Sequence, residues 1–181
     1  MVWRSYSQRT VRSGAATIWT ACVCLALVAL SQDAAAEQYT GRVVGISDAD
    51  TITVLDDQNR QHKIRLLYID APERKQAFGN KARQALSRMI FNREVTIDGS
   101  KLDRYRRELA TVAFQSQDVG LELIRQGYAW HFKRYARDQP PGEHALYSLG
   151  EQEAREARLG LWADPSPVAP WDWRAAQRQA R

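Results

Sequence analysis

Acidic and basic side chains recur at three places where the chain is expected to turn. Asp48-Ala49-Asp50-Thr51 opens one candidate strand, and Arg65-Leu66-Leu67-Tyr68-Ile69-Asp70-Ala71-Pro72-Glu73 closes another. Asp103-Arg104-Tyr105-Arg106-Arg107 precedes a third. Carboxylates ligate hard divalent cations or accept protons, and guanidinium forks match phosphate oxygens bidentately. Gathered in one cleft, these residue types suit chemistry on a polyanion. Arg65 is the informative member, because it interrupts an apolar strand and a charge there must be paired or face a cleft. Pro72 turns the chain out of any sheet after Ala71, which leaves Asp70 and Glu73 at its edge. Arg65 and Asp70 are five apart, so one regular strand would place them on opposite faces. Convergence requires a bulge, or an Asp70 already beyond the last ladder bond. Taken singly, each has a plainer reading: Asp48 and Asp50 as turn residues, Arg65 and Glu73 as a structural ion pair.

Strands are expected at 39–46, 51–55 and 61–69, where Ile52/Val54 and Ile64/Leu66 alternate and Asp56-Asp57-Gln58-Asn59 supplies a turn. Phe78, Ala82, Ala85, Leu86, Met89 and Ile90 fall at helical spacing. Further strands are expected at 95–97 and 109–114. A short helix at 121–126 is stopped by Gly127, and a charged helix at 143–158 is interrupted by Gly150. Three strands, a helix, two strands and trailing helices give an α+β class, a five-stranded OB-type β-barrel with about three packed helices. It occupies 37–163. Residues 164–181, rich in Pro and Trp and basic at the end, are expected to form an extended tail whose tryptophans dock on the barrel.

Arg4, Arg9 and Arg12 precede an uncharged run of 16 residues, Ala15 to Leu30, followed by Ala34-Ala35-Ala36. Basic region, apolar region and small-residue site describe a signal peptide over 1–36, cleaved after Ala36, and a secreted or periplasmic product. Both cysteines, Cys22 and Cys24, fall in that run. The mature chain would then have no disulfide, thiol nucleophile or thiolate metal site. From Glu37 onward, 23 basic residues stand against 20 acidic ones, a mild excess that suits a polyanionic partner. His62, His131 and His144 show no ligand-like spacing, and a packing or surface role is expected for each. Arg125 and Glu151 are expected in structural ion pairs.

In order along the chain, Asp50-Thr51, the run Arg65 to Glu73, Asp103-Arg104-Tyr105 with Arg107, Leu123-Ile124-Arg125-Gln126-Gly127 and Gly160-Leu161-Trp162 resemble the thermonuclease family of staphylococcal-nuclease-like domains. The likeness covers about residues 39–163. It implies a calcium-dependent endonuclease, a hydrolase of DNA or RNA phosphodiesters that breaks the P–O5′ bond and leaves 3′-phosphate ends. It implies metal binding by the Asp50 and Asp70 carboxylates and the Ala71 carbonyl, and catalysis by Arg65, Glu73 and Arg107. Arg104, Tyr105 and Tyr135 match positions that contact nucleotide, with Lys133 as a further phosphate-seeking charge. Aromatic rings among basic residues favour a single-stranded substrate, and a monomer is expected. Trp130, Phe132 and Trp162 are expected as core or docking residues. The alternative is a non-catalytic nucleic-acid-binding OB module. Many relatives carry glycine where this chain has Arg106, so a backbone of positive φ is expected there.

Overall fold

Period-two burial along short strands builds the structure, a computed structural model that describes residues 37–180. The expected signal peptide lies outside the described residues. β1 (Glu37–Asp48), β2 (Thr51–Leu55) and β3 (Gln61–Leu66) form an antiparallel meander. β1 also pairs with β5 (Glu94–Leu102), and β5 with β6 (Glu108–Phe114), again antiparallel. A parallel pairing of β3 with β6 closes the five strands into a barrel, the OB-type closure expected. Ile52, Val54, Ile64, Leu66, Val95, Ile97, Ala110 and Val112 are all buried in its core. β1 is longer than expected and is bent by register shifts at Val43/Gly45 and Ile46/Asp48, as bulges bend a strand around a barrel.

Four helices pack on this frame, one more than expected: α1 (Gly79–Ile90), α2 (Val119–Arg125), α3 (Pro141–Glu156) and α4 (Pro170–Gln179). Before α2, β7 (Gln117–Asp118) pairs with the end of β6, and Asp118 caps the helix by accepting from the Leu121 amide. The same carboxylate accepts from the Tyr147 hydroxyl at 2.8 Å, tying α3 to α2. Gly150 does not break α3. A Cβ there would stand 3.1 Å from Arg125 Cγ, so its small size lets the two helices approach. Arg125 contributes that stem contact and no ion pair among the described residues, contrary to expectation. Glu151 does sit in ion pairs, with Lys133 at 2.9 Å and Arg155 at 3.5 Å.

Two distant motifs meet at one backbone crossing. Gly127 (φ 71°) and Gly160 (φ 53°) touch so closely that a Cβ on either would lie 2.2 Å from a carbonyl oxygen of the other segment. Leu161 N–H donates to the Gly127 carbonyl at 2.8 Å across this crossing. Only glycine provides both the positive φ and the clearance. The crossing seats Leu161 and Trp162, both buried, against Ala154 of α3.

The segment 164–181 departs from the expected extended tail. Pro170 takes the first helical position, where its missing N–H costs nothing, and α4 follows to Gln179. Trp171 does dock: its ring centroid lies 5.5 Å from that of Trp130 and 5.6 Å from that of Phe132. Gln76 Nε2 donates to the Val168 carbonyl at 2.7 Å, fixing the approach to α4. None of the helices among the described residues is long and apolar enough to cross a membrane.

Candidate active site

Strand register gathers the charged residues at one mouth of the barrel. Thr51 pairs with Arg65, and Arg65 with Leu109, so Asp50, Arg65 and Arg107 sit on the same rim. The spacing of Arg65 and Asp70 is resolved by ending the strand. β3 stops at Leu66, Tyr68 adopts a positive φ of 62°, and Asp70 belongs to a separate two-residue strand, β4 (Ile69–Asp70). β4 pairs with β8 (Trp130–His131), Asp70 opposite Trp130. Asp70 therefore turns back to the rim from beyond the last β3 bond.

Arg65 is the hub. Its guanidinium is 3.2 Å from Asp50 Oδ2 and 3.1 Å from Asp70 Oδ1, and it donates to the Leu66 and Ile69 carbonyls. Its ion pairs are with these two aspartates and not with Glu73. Asp50 is buried; its Oδ2 accepts from the Ala71 amide at 3.1 Å and its Oδ1 from the Thr51 hydroxyl at 3.0 Å. This amide bond places the Ala71 backbone within the same cluster. The Asp70 side chain is wholly buried. Burial pushes its carboxyl above the ordinary value, against the Arg174 hydrogen bond and the Arg65 charge, which act to lower it.

Glu73 is half-buried and held through its backbone. Its amide donates to Gln76 Oε1, and its carbonyl rests on α1, where a Cβ at Gly79 would come within 1.9 Å of it. Arg107 is fixed by Asp103, which accepts from its amide at 2.9 Å and from its Nε at 2.8 Å. Burial pushes the Asp103 carboxyl up, but the backbone and side-chain bonds from Arg107 outweigh it and hold the group below its ordinary range. Arg107 Nη1 reaches the Thr51 hydroxyl at 3.3 Å, beside Asp50. Arg106 has φ 61°, the left-handed geometry expected where relatives carry glycine.

Arg104 and Tyr105 are exposed on the same β5–β6 turn, with the Arg104 guanidinium 4.8 Å over the Tyr105 ring. Tyr135 is exposed on a 3-10 turn, Lys133–Tyr135, its ring 5.7 Å from Phe132. These residues flank the rim and do not touch the carboxylates. Lys133 is turned to Glu151 by its ion pair.

One residue at the rim went unrecognised in the sequence. Arg174, on α4, donates to Asp70 Oδ2 at 2.6 Å and Oδ1 at 3.1 Å, and to Glu73 Oε1 at 2.9 Å. Its hydrogen bond to Asp70 chiefly pushes its own pKa further up, so it remains a cation. Trp171 docking on Trp130, the partner of Asp70 across β4–β8, explains the reach: one turn along α4 from Trp171 is Arg174. The signal available in the sequence was the i, i+3, i+7 spacing of Trp171, Arg174 and Arg178 after Pro170.

Asp50 and Asp70 are of the residue type that ligates a hard divalent cation. Asp50 and Asp70 offer carboxylate oxygens on one side of the mouth, and a guanidinium already lies across both oxygens of Asp70. No three of His, Cys, Asp and Glu gather at metal distance among the described residues. Two carboxylates and the Ala71 carbonyl would leave several positions to water and substrate. His131 is buried, bonded to Gln139 and Ser148, and outside this set.

The family profile described as staphylococcal nuclease homologue matches residues 63–164. A protein called an uncharacterized endonuclease in Haemophilus influenzae is 41% identical over 142 residues, covering 78% of this chain and 76% of that one. Protein ParB of Escherichia coli is 42% identical over 170 residues, covering 89% of this chain and 93% of its own. A micrococcal nuclease of Shigella flexneri is 39% identical over 168 residues, covering 87% and 93% respectively.

Proposed function

Because the chain belongs to the staphylococcal nuclease homologue family, we propose that it is an exported, calcium-dependent endonuclease cutting DNA or RNA at the P–O5′ bond. The observation that carries this reading is the convergence of Asp50, Arg65, Asp70, Glu73 and Arg107 on one rim of the barrel. The endonuclease and micrococcal nuclease names of similar proteins support the substrate class. The Ala34-Ala35-Ala36 site supports export, with Glu37 as the mature N-terminus.

Asp50, Asp70 and the Ala71 carbonyl would hold calcium. When bound, it would supply Lewis-acid stabilisation to a phosphate oxygen. Glu73, beside these carboxylates and open to solvent, accepts a proton from the attacking water. That water's oxygen forms the new bond to phosphorus. The P–O5′ bond breaks, and the 5′ oxygen departs and takes up a proton from solvent, leaving 3′-phosphate and 5′-hydroxyl ends. Arg65 and Arg107 face the charge that builds on the phosphoryl oxygens. Both now spend their donors on carboxylates and carbonyls, so substrate must draw some of these donors away.

The test is digestion of single-stranded DNA and of RNA by the chain with calcium and with chelator, followed by end analysis. Calcium-dependent cleavage leaving 3′-phosphates is expected. Glu73→Gln is expected to keep the fold and lose about 10²–10⁴ in rate. The non-catalytic OB module is favoured by one observation, the saturation of Asp70 by Arg65 and Arg174. Binding without cleavage under every metal condition would establish it instead.

A further inference from the structure

The face of α4 that delivers Arg174 continues along a groove. Trp171, Arg174 and Arg178, at i, i+3 and i+7, line it together with Phe132, Arg134 and Arg104. The groove has a volume of about 850 Å³ and meets the rim at Arg174, which lines it and also touches Asp70 and Glu73. Six of its lining side chains are cationic and one, Glu151, is anionic. That acid is already neutralised by Lys133 and Arg155. Arg134 and Arg178 are exposed and hold no ion pair among the described residues. Arg178 stands in the last turn of α4, where the helix end favours a cation, yet six cations still surround one groove with a single acid among them. Self-repulsion makes them a cost unless an anion visits.

We propose that α4 builds a strand-binding subsite, in which Arg178 and its neighbours hold the phosphates of single-stranded nucleic acid leading into the catalytic rim. α4 lies beyond the segment 63–164 that the family profile matches. Arg174 and Arg178 are four residues apart, about 6 Å along the helix axis. Side chains as long as arginine can span neighbouring phosphates from that spacing. Phe132 and Trp171, packed ring against ring at 5.6 Å, both line the groove, and aromatic side chains stack on unpaired bases, which a closed duplex does not offer. The inference rests on the nucleic-acid reading of the same site and deepens it.

The test is anisotropy titration of a fluorescent oligothymidylate with the mature full chain in chelator, where nothing turns over, at several salt concentrations. Arg178→Ala is expected to weaken binding several-fold and to flatten the log–log salt slope by about 0.7, the share of one phosphate contact on a single strand. Arg178→Glu is expected to weaken it by tenfold or more, and Arg88→Ala on α1 to leave it unchanged. Thermal melts establish that the variants fold, since Arg178 is exposed. Wild-type affinity and slope in Arg178→Glu would overturn the proposal. So would polyglutamate of equal charge competing as well as the oligonucleotide, which would make the groove a protein-docking surface. Because binding is read without metal, failure of the hydrolytic reading appears only in the calcium digestion, and failure of this one only in the titration.

Discussion

Replacing Arg174 with Gln is expected to lower the calcium concentration needed for activity. Arg174 lies across both oxygens of Asp70, the carboxylate a metal would need, and also bonds Glu73. With Arg174 docked, the three carboxylates Asp50, Asp70 and Glu73 are met by the two guanidiniums of Arg65 and Arg174. A divalent cation then meets one net negative charge, and two once Arg174 is gone. The contact with Glu73 joins two side chains that are each 37% exposed, so screening leaves it worth about 0–1 kcal/mol. The fork to buried Asp70 belongs with charged hydrogen bonds, worth about 1.5–3 kcal/mol before a discount for the exposed side of Arg174. A net competition of about 1–2 kcal/mol corresponds to roughly 5–30-fold tighter calcium binding in Arg174→Gln. Calorimetric titration of calcium reads this directly, and half-maximal calcium for cleavage reads it in turnover. In chelator the variant should melt at lower temperature than the wild type, because Asp70 loses a counter-charge, and calcium should restore more of that stability than it adds to the wild type. Unchanged or weaker calcium binding by a folded Arg174→Gln would refute the competition and make Arg174 a partner of the loaded site.

Arg107→Ala should lower turnover by about 10²-fold or more, whereas Arg106→Gly should keep activity and gain about 1 kcal/mol by relieving the left-handed backbone at φ 61°; denaturant midpoints and cleavage rates check both, and a less stable Arg106→Gly would show that the arginine side chain itself holds the turn. Gly79→Ala should cost about 1–3 kcal/mol through overpacking, because its Cβ would fall 1.9 Å from the Glu73 carbonyl; cleavage under fully folded conditions should drop as well, and full activity would mean that the Glu73 loop is not held from α1. Burial holds His131 below its ordinary value of 6.5, with the Lys133 and His144 charges also lowering it against the Gln139 hydrogen bond. The unfolded chain therefore takes up the proton first, so stability is lost as pH falls below about 6.5 and the loss levels off below the folded-state value. Denaturation at pH 7.5 and 5.5 should show a smaller pH effect in His131→Gln than in the wild type, and equal effects would assign the loss to other groups.

The barrel was legible because its strands bury one face. Ile52/Val54 and Ile64/Leu66 announced their period, and β6 was bounded within a residue. β5 ran from Glu94 to Leu102, well past the apolar Val95 to Ile97, because its outer half pairs with β1 as far as Gly99 and with β6 as far as Leu102, through residues whose side chains need no core. Ladder bonds are made by backbone and leave no mark in side-chain type. The same limit hid the break after Leu66: the positive φ of Tyr68 falls on a residue with no turn preference, so β3 and β4 read as one strand. The rim residues were legible by type and order. Their partners were not, because Arg65 could pair with any nearby acid until the turn fixed Asp70 beside it.

α4 was missed for a different reason, and that reason bears on its role. Pro165, Pro167 and Pro170 in quick succession read as an extended segment, and a ten-residue helix is marginal on its own intrinsic preference. It forms because tertiary contacts hold it: Trp171 against Trp130 and Phe132, and Arg174 against Asp70 and Glu73. Half of that attachment is thus made to the carboxylates that perform the proposed chemistry. Whatever occupies those carboxylates weakens the anchor of α4, and whatever holds α4 in place shifts their readiness to take a cation. The coupling is reciprocal by linkage. A strand lying along Arg178 and Trp171 would steady the helix while drawing Arg174 from Asp70 to phosphate, so substrate should tighten calcium binding and calcium should tighten substrate binding by the same factor.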